Sequence, residues 1–194
     1  MSELKRVDIM TDIETLGHKS DSTIIQISAI AFDIETGEYL EVFNKVADIT
    51  KNETMNVTGS TIKWWLNTNK DLLTDLVNSG ENSSDDILRD FYIWLTSIGE
   101  PNELHLWGNG ILFDNKMIQH QLELIAKEYP ISYKNDRDVR TIVDLARKKL
   151  GLTEKELKAK FKDDSLVAHN ALDDVKFQIN LVAECYKVLT KEAN

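Results

Sequence analysis

Three acidic segments carry side chains able to do chemistry together. They are Thr11-Asp12-Ile13-Glu14-Thr15, the stretch from Trp107-Gly108-Asn109-Gly110 to Phe113-Asp114, and His169-Asn170-Ala171-Leu172-Asp173-Asp174. In the first, Val7, Ile9 and Ile13 alternate with Asp8, Asp12 and Glu14, the period of two that sends successive side chains to opposite faces of a strand. Asp12 and Glu14 then share one face, about 7 Å apart at the base. Carboxylates held that close between apolar neighbours repel each other, a cost offset when a hard divalent cation sits between them. Each segment also has a plainer reading. An isolated Asp-x-Glu suits the solvated face of an edge strand, Asp114 suits the N-cap of a following helix, and acids in the first turn after His169 complement a helix dipole. Local patterning does not choose between Asp173 and Asp174.

The elements that must position these residues follow from the pattern around them. Arg6 to Thr15 reads as a buried strand, Thr23 to Asp33 as a second and Glu38 to Val46 as a third, with tight links that predict an antiparallel meander. Helices are predicted from a cap at Ser60 or Thr61 through Leu66, over Asp71 to Val77, and over Ser83 to Ser97, where Ile87, Leu88, Phe91, Trp94, Leu95 and Ile98 give a helical repeat. A fourth strand covers Leu104 to Trp107, with a helix from about Asn115 to Tyr129 ending at Pro130. A short strand is expected at Asp138 to Arg140, then a helix capped by Thr141, with Asp144 completing the box, through Leu150. A shorter helix over Glu154 to Phe161 and a long terminal one from Asn170 or Ala171 finish the chain. Strands gathered early and then alternating with helices define an α/β protein with a mixed sheet and helices on both faces.

With 194 residues and 42% apolar content, the chain reads as one domain over 1–194 that can bury a sizeable core. The single cysteine, Cys185, excludes an intramolecular disulfide, and no stretch reaches membrane-spanning length or resembles a signal peptide. A cytoplasmic protein without a membrane partner is expected. The net charge of -10 argues against gripping long duplexes by neutralising many phosphates, but leaves room for an enzyme that holds a few nucleotides through metal ions. Residues 147–162 hold seven basic residues against two acidic ones, a local balance of +5. That stretch suits a charge-laced solvated helix or contact with a phosphate backbone.

Taken together, Asp12-x-Glu14, Asp114 and His169-x-Ala171-x-x-Asp174 resemble the 3′-to-5′ exonucleases of the ribonuclease H-like superfamily. The branch is the one with four acidic residues and a histidine, and the match runs in the right order over nearly the whole chain. The third motif of that branch selects Asp174 over Asp173. Trp-Gly-Asn-Gly, Phe113-Asp114 and Asp138-x-Arg140-Thr141 look most like compact phage-type exodeoxyribonucleases and related bacterial exoribonucleases. The resemblance implies that Asp12, Glu14, Asp114 and Asp174 hold two Mg²⁺ or Mn²⁺ ions about 4 Å apart, all-oxygen ligands suiting such hard ions. It also implies that His169 is the general base. The expected activity is release of 5′-mononucleotides from the 3′ ends of single-stranded DNA or RNA, DNA slightly favoured. An exoribonuclease on short RNA and a non-catalytic nucleic-acid-binding module are the alternatives.

Substrate contacts are expected at Thr15 and Leu16, which follow the first motif, and at Phe113 beside Asp114. Trp64 and Trp65 are candidates for stacking on a base; neighbours on a helix point about 100° apart, so at most one faces the site and at least one packs in the core, and the site role is assigned to Trp65. Arg137, Asp138 and Arg140 fit substrate contact or a buried ion pair supporting the loop. Relatives that pair suggest a homodimer. His18, His105 and His120 sit in no ligand spacing.

Overall fold

The computed structural model describes residues 6–162 and 165–191. The early strands form where the alternation predicts them: β1 (Val7–Thr15), β2 (Ile24–Phe32) and β3 (Tyr39–Val46) pair as an antiparallel meander. Three helices follow, α1 (Gly59–Thr68), α2 (Lys70–Ser79) and α3 (Ser84–Ile98). Then come β4 (Leu104–Gly108), α4 (Asp114–Leu124), β5 (Asp136–Asp138), α5 (Val139–Leu150), α6 (Glu154–Ala159) and α7 (Ala171–Thr190). β4 runs parallel to β1 and β5 parallel to β4, so the sheet order is β3-β2-β1-β4-β5.

β1 is therefore central, and every residue of it except Asp12 is buried. Ile9 and Ile13 enter a core with Ile87, Phe91 and Leu95 of α3 and Met117 and Ile118 of α4. Met10, on the opposite face, joins Ile30 and Phe32, Val143 of α5, and Val175, Ile179 and Val182 of α7. Each such side chain contributes about 1.5–3 kcal/mol by leaving water. Asp12 and Glu14 lie on the α7 face with Met10, at the end of the strand.

Beside them the ladder is irregular. Glu14 pairs with Gln26 but Thr15 with Ile24, which leaves Ile25 as the extra residue of a β-bulge. The bulge turns Ile25 into a third core with Leu16, Trp65 and Leu76 beneath α1 and α2, the kind of local bend that re-aims side chains next to a site.

Four element boundaries differ from expectation. α1 starts at Gly59 after Thr58, because the Thr58 N–H is held by the Leu16 carbonyl at 2.9 Å, so neither Ser60 nor Thr61 caps it. α4 stops at Leu124 and Ala126 adopts φ 59°; the break lets Ile125 and Tyr129 pack on the α3 and α4 core and brings the Tyr129 hydroxyl to Asp136 at 2.8 Å. β5 lies two residues earlier than expected, since Val139 is the first buried residue of the α5 face, with Val143 and Ala146 following. Thr141 is then inside the helix and donates its hydroxyl to Asp138 at 2.9 Å, while Asp144 bonds Arg147 and Lys148 instead of a backbone amide.

Candidate active site

Three anchors bring the acidic segments to one end of the sheet. Gln26, paired with Glu14 in the ladder, accepts the Ala171 N–H at 3.3 Å and donates to Asn44 at 3.0 Å, which seats the start of α7 on the strand face that carries Glu14. Asn170 caps that helix by accepting the Leu172 N–H at 3.2 Å. Asn115 donates to the Leu106 carbonyl at 3.0 Å and to Asp136 at 2.7 Å, which fixes the first turn of α4 against β4. Gly108 permits this approach: a Cβ there would stand 2.4 Å from Asn115 Oδ1 and 3.4 Å from the Asp114 Cβ, closer than a side chain tolerates.

The result is a convergence of carboxylates. Asp12, Glu14 and Asp174 each bring an oxygen within 4.8 Å of the other two. Asp114, the first residue of α4, flanks them. Its carboxylate accepts the backbone N–H groups of Ile13 and of Asp114 itself, so it faces β1 and does not act as an N-cap, a position Phe113 holds. Asp173 turns the other way, bonded to the Val167 N–H at 3.1 Å and to Lys176 at 3.0 Å.

Burial and mutual repulsion make these groups reluctant to ionise. Desolvation, then the charge of Asp12, Asp174 and Asp114, pushes Glu14 up to about 10. Asp12 rises well above the carboxylate range through desolvation and the charges of Asp114 and Asp174, opposed by a hydrogen bond from Gln178. Desolvation raises Asp114 to about 7 against its backbone bonds, and raises Asp174 against the bond from His169. A cluster that costs this much to charge, with donors that are all oxygen, fits a site completed by a hard divalent cation.

His169 stands at the rim. Its backbone is left-handed at φ 67°, its N–H donates to Asp174 at 3.0 Å, and its ring meets Trp64 edge-on with centroids 4.9 Å apart. Helix geometry allowed at most one tryptophan of the pair to face the site, and the structure buries Trp65, the one assigned there, and leaves Trp64 beside His169. Trp65 is 1% exposed and its Nε1 donates to the Thr15 carbonyl at 3.0 Å, whereas Trp64 is 41% exposed. Trp65 is the one turned inward because it lies on the face of α1 that packs against Leu16, Ile25 and Leu76. Thr15 and Leu16 are likewise buried, the Thr15 hydroxyl closing on the Gly17 carbonyl at 2.6 Å, so neither side chain offers a surface to a strand. Phe113 is 38% exposed.

Sequence reading missed Gln178, which is buried one turn beyond Asp174 and donates to Asp12 at 3.2 Å. Its i+4 spacing from Asp174 was the available signal. Within the basic stretch, Arg147 and Lys148 pair with Asp144 and Lys158 with Glu154 along their helices, and Lys149 donates to the Lys191 carbonyl at 3.0 Å.

The fold and the family it matches are those of a 3′-to-5′ exonuclease, an enzyme acting on nucleic acid. The chain belongs to the family described as "3'-5' exoribonuclease Rv2179c-like domain", whose model matches residues 7–186. It is 25% identical over 192 residues to the exodeoxyribonuclease of Enterobacteria phage T4, covering 86% of this chain and 83% of that protein. Among solved structures it is similar to the nuclease domain of 3'hExo, a DEDDh family member bound to rAMP, at TM-score 0.63 and 16% identity over 96% of this chain and 94% of that one. It is also similar to a zinc-bound E. coli ExoI–ssDNA complex at TM-score 0.68 and 16% identity, over 96% of this chain. Cell-death related nuclease 4 gives TM-score 0.67 and 15% identity over 94% of this chain. The chain spans less than two thirds of the last two proteins, 41% and 64% of their lengths.

Proposed function

We propose that this chain is a divalent-metal-dependent exonuclease that takes the 3′ end of a single strand and releases 5′-mononucleotides, with His169 as general base. The observation that carries this is the convergence of Asp12, Glu14 and Asp174 within 4.8 Å, flanked by Asp114 and rimmed by His169. Asp12, Glu14, Asp114 and Asp174 would hold two Mg²⁺ or Mn²⁺ ions, which when bound supply charge neutralisation and a Lewis acid for the phosphodiester. His169 takes the proton of the attacking water, its imidazole standing on the rim beside Asp174, whose carboxylate accepts the His169 backbone N–H. Trp64, edge-on to His169 and open to solvent, offers a face on which the terminal base stacks, and Phe113 offers a second apolar contact beside Asp114.

The substrate sugar is approached from two sides, since the family description is of an exoribonuclease and the phage relative is an exodeoxyribonuclease. One experiment addresses activity and sugar together. The purified protein is incubated with 5′-labelled single-stranded DNA and RNA of equal sequence, in Mn²⁺, Mg²⁺ or EDTA, beside His169→Ala. A metal-dependent ladder shortening from the 3′ end, lost in the variant, is expected, and the faster polymer names the sugar. No shortening of either polymer in any metal refutes the proposal.

A further inference from the structure

We propose that Arg140 is a phosphate clamp, its guanidinium binding a backbone phosphate of the substrate strand next to the one being cleaved. This rests on the exonuclease reading above and names the group by which the site recognises an extended strand. Arg140 is the second residue of α5 and is exposed. Its guanidinium lies over Gly110 in the loop between β4 and α4: a Cβ on Gly110 would stand 3.2 Å from Cζ, 3.2 Å from Nη2 and 3.5 Å from Nη1. Near-equal distances to three atoms of the planar group mean that it meets the loop face-on, which leaves its in-plane N–H edges free of the loop. Gly110, at φ 123°, has the backbone that only glycine adopts easily, and the missing side chain is what makes room for the guanidinium.

The charge is aimed at the site. Arg140 is a source of the positive potential acting on the Asp114 carboxyl, yet among the described residues it forms no ion pair or hydrogen bond. Asp114 is already served by the N–H groups of Ile13 and of its own backbone. Glu154, which also feels Arg140, is held by Lys158 at 2.6 Å. Neighbouring arginines are committed, Arg137 to the carbonyls of Lys134 and Asp136 and Arg147 to Asp144. An arginine kept by a glycine loop at the rim of an acidic site, with its donors unspent, matches the bidentate geometry of a phosphate. In a chain of net charge -10, such a group is also what a strand needs to approach the carboxylates at all.

The test compares Arg140→Ala and Arg140→Lys with wild type on two substrates in Mn²⁺: a single-stranded oligomer, and the p-nitrophenyl ester of thymidine 5′-monophosphate. The ester carries the cleavable phosphodiester and no second phosphate. Arg140→Ala is expected to lower kcat/KM about tenfold more on the oligomer than on the ester, mainly through KM. Arg140→Lys should recover part of the loss, because the charge stays and the fork goes. The slope of log KM against log salt for the oligomer should also shrink by about 0.7, the share of one phosphate contact on a single strand. Equal losses on both substrates would mean that Arg140 acts through Asp114 or the loop, and no loss on either would mean no contact; each overturns the clamp. Wild type that hydrolyses neither substrate with metal overturns the exonuclease reading and the clamp with it.

Discussion

The side-chain amide of Gln178 donates a 3.2 Å hydrogen bond to Asp12, joining α7 to β1 across the carboxylate cluster. That bond favours the ionised form of Asp12 against desolvation and the charges of Asp114 and Asp174. Gln178→Leu removes it without leaving a hole, and also removes Oε1, a buried oxygen with no partner among the described residues. Stability should change by less than about 1 kcal/mol, while Mn²⁺ binding, followed by calorimetry between pH 6 and 8, should require higher pH than in wild type. An unchanged pH profile would show that Asp12 does not depend on this amide.

Asp12→Asn should separate stability from activity. The variant keeps an acceptor for Gln178 and removes one charge from a buried repelling set. In EDTA its Tm should rise by about 3 °C, the shift produced by about 1 kcal/mol in a chain of this size. Turnover should fall by more than about a hundredfold. A Tm below that of wild type would mean that repulsion is not the dominant strain in the site.

The pH dependence of the metal-free protein has a definite sign. Asp114 and Glu14 titrate at about 7 and about 10 in the fold, above the ordinary carboxylate value of about 4. A raised carboxyl binds its proton more tightly when folded, so its stabilising contribution is complete below about pH 4. It is lost as pH rises through about 7 and then about 10. Bound cation removes the repulsion and binds better as protons leave. Thermal unfolding at pH 5.5, 7 and 8.5 should therefore show the Tm difference between Mn²⁺ and EDTA widening with pH. A difference that narrows would contradict the titration of these groups.

Two adjacent tryptophans should give opposite phenotypes. Trp65→Ala empties a buried site and leaves the Thr15 carbonyl without its donor, costing about 3–5 kcal/mol. Trp64→Ala removes a half-exposed ring and should move Tm little, but lower kcat/KM on oligomers about tenfold if the ring stacks on the terminal base. Chemical denaturation and a steady-state assay on the same preparations measure both effects. Full activity in Trp64→Ala would exclude the stacking role.

Gly108→Ala tests the close approach of α4. The new methyl would meet Asn115 Oδ1 at 2.4 Å, pushing the first turn of α4, and Asp114 with it, away from β1. Loss of activity with only partial loss of stability is expected. Asn115→Ala in the same background should restore part of the activity if the clash is the cause.

Much of the architecture was legible in the chain because β1 and β2 are long and strongly patterned. The alternation around Asp12 and Glu14 placed both on one face, and the helical repeat of Ile87, Leu88, Phe91 and Leu95 marked α3 within a residue. Boundaries failed where a long-range bond overrode local preference. Leu16 fixes the start of α1, and Asp136 draws Tyr129 out of α4. Thr141 looks like a cap, but burial of Val139 starts α5 before it.

By itself the sequence determined which residue types stand in what order: the Asp-x-Glu strand end, the glycine loop before Asp114, and His169 ahead of Asp174. Periodicity also fixed the faces of the elements that carry them. Local patterning left neighbouring side chains undistinguished, and the tertiary structure separates them. Asp174 enters the cluster while Asp173 pairs with Lys176, Trp65 is buried while Trp64 faces His169, and Gln178 reaches across from α7 to Asp12. The reason is that adjacent side chains on a helix are equivalent in composition and periodicity, and only the surface on which that helix docks tells them apart.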